Sequence, residues 1–291
     1  MPRSVALIVN PSAGGGRAER ILPDVEASLR RRGMHARTER TTSIEHAAEL
    51  ARAAAAEGEI AGALGGDGLI GTVAGALRDT GGVLGILPGG RGNDFARVLG
   101  IPADPAGAVE VLANGEERSL DLGEAGGRAF CCIASCGFDS VANRIANDAR
   151  LVRGNLVYLY AALRALAGWR PATFTVEVDG ERETFSGYSV AVANSKAYGG
   201  GMFVAPQAEL DDGALDVVTV SHVGRLRFLA SFPQVFKGTH LERAEVSSRR
   251  GHEVRVSADR PFTVYADGDP IGELPLTVRV LPHAVRAILP R

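Results

Sequence analysis

The chain has 291 residues and is 45% hydrophobic, which is enough apolar material to fill the cores of about two domains. Its 32 basic and 34 acidic residues leave a formal charge of −2, which excludes a nucleic-acid binder that works by bulk electrostatics. No apolar stretch reaches the roughly 18 residues of a membrane span, and Met1 to Asn10 has no signal-peptide core or cleavage site, so the expected setting is cytoplasmic. Arg30-Arg31-Arg32 and Arg249-Arg250 read as solvated faces, with anionic headgroups as the alternative partner. Cys131, Cys132 and Cys136 share an apolar run with no further ligand at metal spacing, the pattern of buried reduced thiols.

In chain order, Ser4 to Val9 predicts a short strand that breaks into Asn10-Pro11-Ser12-Ala13-Gly14-Gly15-Gly16-Arg17-Ala18. A helix follows, with Ile21, Leu22, Val25 and Leu29 on one face. Strand, glycine loop and helix in that order point backbone N–H groups and a positive helix end at an anion. No Gly-Lys-Ser/Thr closes the loop, so it is not a Walker loop, and it does not match the dinucleotide fingerprint. A strand at Ala36 to Arg40, a helix from Ile44 to Ala56 and an apolar strand Ile60 to Leu64 come next. That strand feeds Gly65-Gly66-Asp67-Gly68, with helical character from Thr72 to Leu77. Three glycines bare the backbone to phosphate oxygens, although a plain turn is the alternative. Asp67 is an acid inside this cradle, tolerable beside phosphates if a divalent cation or a donor stands between them. Another strand, Val83 to Leu87, runs into Pro88-Gly89-Gly90-Arg91-Gly92-Asn93-Asp94-Phe95-Ala96-Arg97. Three glycine loops after three strands of an alternating α/β region converge at the carboxyl ends of a parallel sheet, where ligands bind.

Beyond Asp121 the runs become short and β-rich: Arg128 to Ser135, Phe174 to Val178, Thr184 to Val192, Leu215 to Val220, Glu253 to Ser257, Phe262 to Ala266 and Leu276 to Leu281. They predict an antiparallel sandwich, interrupted by a helical insertion from Ser140 to Ala167. The apolar face of that insertion (Leu156, Val157, Tyr158, Leu159, Tyr160, Leu163, Leu166) is core or the lining of a groove for an apolar ligand. Ala284 to Leu289 is expected to return to the first domain. Asp179-Gly180 reads as a hairpin turn. Asp211-Asp212-Gly213-Ala214-Leu215-Asp216 is a cation loop or a solvated turn. Asp267-Gly268-Asp269-Pro270 reads alone as a hairpin, but phosphoryl transfer needs a carboxylate facing the cradle to take the proton of the attacking hydroxyl.

Asn10-Pro11 with its glycines, Gly65-Gly66-Asp67-Gly68, Pro88 with Gly90 to Arg97, Tyr198-Gly199-Gly200-Gly201-Met202, Ala205-Pro206, Asp212-Gly213 and Asp267-Gly268-Asp269 stand in an order that resembles the bacterial diacylglycerol kinase catalytic-domain family. That family is related to sphingosine kinases and shares its Gly-Gly-Asp-Gly with NAD kinases and phosphofructokinases. The resemblance implies an α/β, Rossmann-like nucleotide domain over residues 1–122 with a returning tail at 284–291. It also implies a β-sandwich lipid-substrate domain over residues 123–283, with a cleft between the two. By the same resemblance ATP and Mg2+ are bound by Asn10, Gly14, Thr41, Gly65, Gly66, Asp67, Gly68, Leu69, Ile70, Gly71, Gly90, Arg91, Asn93 and Asp94. Asp267 is the general base, supported by Asp269, and Asp212 with the carbonyls of Glu209 and Ala214 holds a structural magnesium. The implied product is a phosphorylated lipid of the phosphatidic acid type, made by an enzyme peripheral to the inner face of the membrane. A homodimer is compatible with this picture.

Four positions depart from the family. Leu69, Gly71 and Thr72 stand where the family usually carries Thr, Asn and Glu, and Arg91 stands in place of Thr in its Gly-Thr-x-Asn-Asp loop. Arg91 is expected to compensate for the lost hydroxyls at the polyphosphate, since a guanidinium brings five donors and a fixed charge. A soluble-substrate kinase of the NAD-kinase type and a member that has lost catalysis are the alternatives.

Overall fold

The computed structural model describes residues 4–149 and 156–291. The middle of the expected helical insertion, residues 150–155, lies outside them, as do the side chains of Leu156, Tyr158 and Leu159.

The first third alternates strand and helix: β1 (Ser4–Val9), α1 (Ala13–Arg31), β2 (His35–Arg40), α2 (Ile44–Ala56), β3 (Ile60–Gly65), α3 (Asp67–Leu77), β4 (Val83–Pro88), α4 (Asp94–Val98) and α5 (Pro105–Asn114). β2, β1, β3 and β4 lie side by side in parallel, with β1 and β3 buried almost throughout, as suits strands covered on both faces. The glycine run makes a kink inside α1. Gly14, Gly15 and Gly16 all take positive φ, so the regular helix begins after them and buries Ala18, Leu22, Val25 and Leu29. α2 has the predicted limits because the Ser43 side chain accepts the His46 N–H at its start. α3 begins earlier than expected, at Asp67, so the acid of the cradle sits in the first turn of a helix, where a negative charge is favourable.

The remainder is largely antiparallel: β5 (Glu116–Ala125), β6 (Arg128–Phe130), β7 (Ile133–Gly137), α6 (Phe138–Asp148), α7 (Leu156–Gly168), β8 (Ala172–Val178), β9 (Glu181–Ala193), β10 (Leu215–Ser221), α8 (Arg225–Val235), β11 (Val246–Gly251), β12 (Glu253–Ala258), β13 (Thr263–Ala266), β14 (Asp269–Glu273) and β15 (Leu276–Leu289). The run from Arg128 to Ser135 is two strands, because the N–H groups of Cys131, Cys132 and Ile133 leave the ladder to bind a carboxylate. α4, α5, β5, α8, β11 and β14 have no counterpart among the expected runs.

β15 joins the two halves. Its start pairs with β12, its length with β5, and Arg286 and Ala287 lie parallel to Val83 and Leu84 of β4. One hydrogen-bonded sheet therefore runs β14-β13-β7-β9-β8-β12-β15-β4-β3-β1-β2. Two large apolar cores form, one around β1, β3 and β4 and the other around β8, β9 and β12. In the second, Phe138 packs edge-on against Phe228 (4.9 Å), and Phe228 stacks on Tyr188 (3.9 Å), which ties α6 and α8 to β9.

Candidate active site

The three glycine loops meet as expected and touch through bare backbone. The Gly89 N–H donates to the Gly65 carbonyl at 2.7 Å. A Cβ at Gly90 would collide with the Cα of Gly66, and one at Gly14, whose φ is +60°, would lie 2.7 Å from the Gly89 carbonyl oxygen. Asn10 accepts from the Ser12 N–H and hydroxyl, turning the chain into the first loop. Asn93, in the left-handed region at φ 52°, accepts from Gly90 N–H and donates to Gly90 O, which closes the third loop. Its amide is spent on shaping that loop.

Asp67 crosses between loops. Its carboxylate accepts the N–H groups of Asp94 (3.1 Å) and Phe95 (3.0 Å) at the start of α4. Burial, opposed by these bonds and reinforced by the nearby Asp94 charge, raises its pKa. Asp94 accepts from Gly200 N–H at 2.8 Å, a bond from the second half of the chain. Its other oxygen, Oδ1, is buried and accepts no hydrogen bond, with the Arg97 guanidinium 3.9 Å away. A magnesium ion that arrives with a nucleotide needs only one or two carboxylates beside the phosphates, and this free acceptor next to Asp67 fits one.

Asp267 enters from the β13–β14 turn at φ 51°. Its oxygens accept the N–H groups of Cys131 (2.7 Å), Cys132 (2.9 Å) and Ile133 (3.3 Å). Removal from water pushes its pKa up to about 7, with Asp67 adding to the rise and the three donors opposing it. It faces the cradle helix: a Cβ on Gly71 would stand 3.2 Å from its Oδ2. Asp269 lies against Gly68, and burial raises its pKa, opposed by the positive charge of Arg128. The three cysteines are buried and free, and burial pushes their thiols above the usual range, so the backbone of Cys131 and Cys132 serves the site and the sulfurs do not.

All of this opens on one cavity of about 580 Å³. One part is lined by Asn10, Gly14, Gly66, Gly68, Leu69, Gly90 and Arg91 together with Asp67, Asp94, Asp267 and Asp269. The other part is apolar, walled by Phe138 of α6, Ala161 of α7, Val218 of β10 and Phe228 and Phe232 of α8. Of the expected nucleotide residues, Thr41, Gly65, Ile70, Gly71 and Asn93 are not in the wall. Thr41 donates its N–H to Val9, and Ile70 is fully buried in the core. Reading the sequence missed Asp139, which lines the cavity with the hydroxyls of Tyr198 and Ser189 turned toward it. Burial raises its pKa to about 6, against those two hydrogen bonds. An acid one residue into a helix, directly after the buried strand Ile133–Gly137, was the available signal.

The expected structural magnesium site has a different arrangement. Asp212 accepts from Ala214 N–H (3.0 Å) with one oxygen and from the Arg250 guanidinium with the other. Among the described residues no three His, Cys, Asp or Glu side chains come together in a set able to hold a metal ion. The one side chain of the expected set, Asp212, is thus held by a permanent cation, and Glu209 and Ala214 would contribute main-chain carbonyls only.

Comparison with known proteins separates the chain into two matched regions. Residues 4–125 match the diacylglycerol kinase catalytic domain, and residues 132–289 match the YegS C-terminal NAD kinase beta sandwich-like domain. The diacylglycerol kinase of Mycobacterium tuberculosis is 34% identical over 99% of this chain and 95% of that protein. That of Bacillus subtilis is 28% identical over 98% and 96%. In structure, a diacylglycerol kinase from Bacillus anthracis str. Sterne superimposes with a TM-score of 0.71 at 20% identity, covering 99% of this chain and 97% of the other, which establishes the likeness of fold.

Proposed function

Since the chain belongs to the diacylglycerol kinase family and is therefore a lipid kinase, we propose that it moves the γ-phosphoryl group of ATP to the free hydroxyl of diacylglycerol or a close amphiphilic analogue, yielding phosphatidic acid or its analogue. The observation that carries this reading is that one cavity is lined both by the glycine loops and by apolar side chains of α6, α7, β10 and α8. Walls of Phe and Val favour an acceptor that carries acyl chains over a polar one such as NAD.

Asp267 takes the proton of the acceptor hydroxyl as its oxygen attacks the γ-phosphorus. The bond from that phosphorus to the bridging oxygen breaks, and its electrons leave with ADP. The three N–H donors hold the carboxylate in place, and a pKa near 7 suits a base that works at neutral pH. Asp269 backs it from the same turn. Loop N–H groups around Gly14, Gly66 and Gly90 receive the phosphate oxygens, and the first turn of α3 adds its dipole. Asp67 and Asp94 would hold magnesium, which supplies neutralisation of phosphate charge when bound.

Leu226, 84% exposed on α8, and the outward Tyr160 and Leu163 of α7 belong to two helices that line the lobe and give them apolar outer faces suited to meeting a bilayer. Among the described residues no helix is long and apolar enough to cross one.

The test is transfer of label from radiolabelled ATP to a panel of dispersed lipids and to NAD, with and without magnesium, alongside Asp267→Ala. Label in a lipid that depends on Asp267 supports the reading and names the acceptor. Label in NAD alone, or in no acceptor, overturns it.

A further inference from the structure

The junction between the β5 and β10 strands carries a cluster of charge that the transfer chemistry does not use. Asp121 is fully buried and accepts the N–H groups of Gly213 and His283, both at 2.6 Å, so the loop before β10 is anchored to the start of the chain's final crossing. The same loop presents Asp212, and Asp216 follows on β10 with its side chain only 3% exposed. Directly across the ladder from Asp216 stands Arg250 of β11. Its guanidinium holds one oxygen of Asp212, and its Nε lies 3.8 Å from an oxygen of Asp216. The second Asp212 oxygen accepts the Ala214 N–H. Each oxygen of the carboxylate expected to bind a divalent ion already meets a donor, and on one of them that donor is a permanent cation standing between the two acids.

We propose that Arg250 replaces a structural metal ion in this chain: its guanidinium clasps Asp212 and Asp216 and holds β10 to β11 without magnesium. β10 also supplies Val218 and Val220 to the apolar lobe, so the clasp keeps one wall of the acceptor half in place. A guanidinium suits this task because its charge cannot be titrated away and its planar fork can serve two carboxylates at once. The clasp is independent of which lipid is phosphorylated, and its readout is melting temperature.

The experiment follows thermal unfolding of the full chain without nucleotide, in magnesium and in EDTA. It uses an Asp67→Asn, Asp94→Asn background so that the transfer centre contributes no metal effect. The parent protein is expected to melt at the same temperature in both buffers. Asp212→Asn is expected to lower it by roughly 3–5 °C, equally in both, because the lost partner is an arginine. Arg250→Met is expected to melt lower in EDTA and to regain part of the loss in magnesium, as the released carboxylates accept the ion. A parent that loses several degrees in EDTA and recovers them with magnesium overturns the clasp. So does an Asp212→Asn penalty that appears only when magnesium is present, and this arm remains decisive if Arg250→Met fails to fold.

Discussion

The polar half of the cavity is built from backbone and the apolar half from side chains. In the polar half, glycines let three loops pack against one another, and the donors are peptide N–H groups fixed by strands β1, β3 and β4. In the apolar half, α6 and α8 each contribute four lining residues and α7 and β10 two each, and exposed faces remain on α7 and α8. A backbone site is rigid and indifferent to sequence outside its glycines, which suits a nucleotide common to many enzymes. A side-chain lobe can be retuned residue by residue, which suits an acceptor that differs from one relative to the next. Asp267 belongs to neither construction. It comes from the second half of the chain, is held by N–H groups of Cys131, Cys132 and Ile133, and faces the first half at Gly71.

The largest effect should therefore come from Asp267. Asp267→Ala is expected to lower kcat by about 10³–10⁴-fold with ATP affinity within a few-fold of the parent, measured by steady-state transfer and by calorimetric nucleotide binding. Near-parent turnover would remove the residue from the seam between the halves. Next comes the backbone construction. Gly90→Ala would drive a methyl into Gly66, so the loops must part, and the ATP KM is expected to rise by at least about tenfold with little change in the lipid KM.

The base also sets a pH dependence. Its pKa is raised to about 7, so the active carboxylate form is lost as pH falls through that value. At pH 6 about one-tenth remains ionised, and kcat/KM is expected to be about tenfold lower than its plateau. A profile flat down to pH 5 would show that no group of raised pKa takes the proton. Stability runs the opposite way for this residue. A carboxylate pKa raised in the folded state destabilises the fold as pH climbs from its ordinary value toward 7, so Asp267→Asn is expected to gain melting temperature most clearly above neutrality.

The same contrast explains what could be read before the fold was known. Gly65-Gly66-Asp67-Gly68 and the two other loops announce themselves within a few residues of chain, and strands before them followed by helices after them place them at one edge of a sheet. The apolar lobe has no such local signature, because its walls come from segments separated by up to about ninety residues of sequence. α8 escaped notice because Pro233 interrupts its pattern, and Arg225 and Arg227 alternate with Leu226 and Phe228. The break at Cys131 and Cys132 was invisible for a related reason. Its cause is a carboxylate 136 residues away. Asp67 read as an acid that needs a divalent cation or a donor beside it, and both of its oxygens accept N–H groups from α4. The lobe itself offers a test: Phe232→Ala is expected to raise the lipid KM by about five- to tenfold and leave the ATP KM unchanged, since it removes apolar wall only.

The smallest effect concerns the one place where the polar half relies on a side chain to offset charge. Five carboxylates line the cavity (Asp67, Asp94, Asp139, Asp267 and Asp269), and the arginine in the wall is Arg91, on the loop closed by Asn93. Leu69, where the family carries a hydroxyl, packs its side chain against Gly65 and donates nothing. If Arg91 supplies what Leu69 lacks, Arg91→Ala should raise the ATP KM by about three- to tenfold, the scale of one or two charge-assisted hydrogen bonds partly screened at an exposed site. The loss should shrink as salt is added, because the parent's own advantage is electrostatic. Arg91→Lys should recover part of it, keeping the charge without the fork. The lipid KM should stay where it was in both variants. An ATP KM that ignores Arg91 and salt alike would mean that the glycine backbone carries the polyphosphate unaided, and the division between a backbone half and a side-chain half would then be complete.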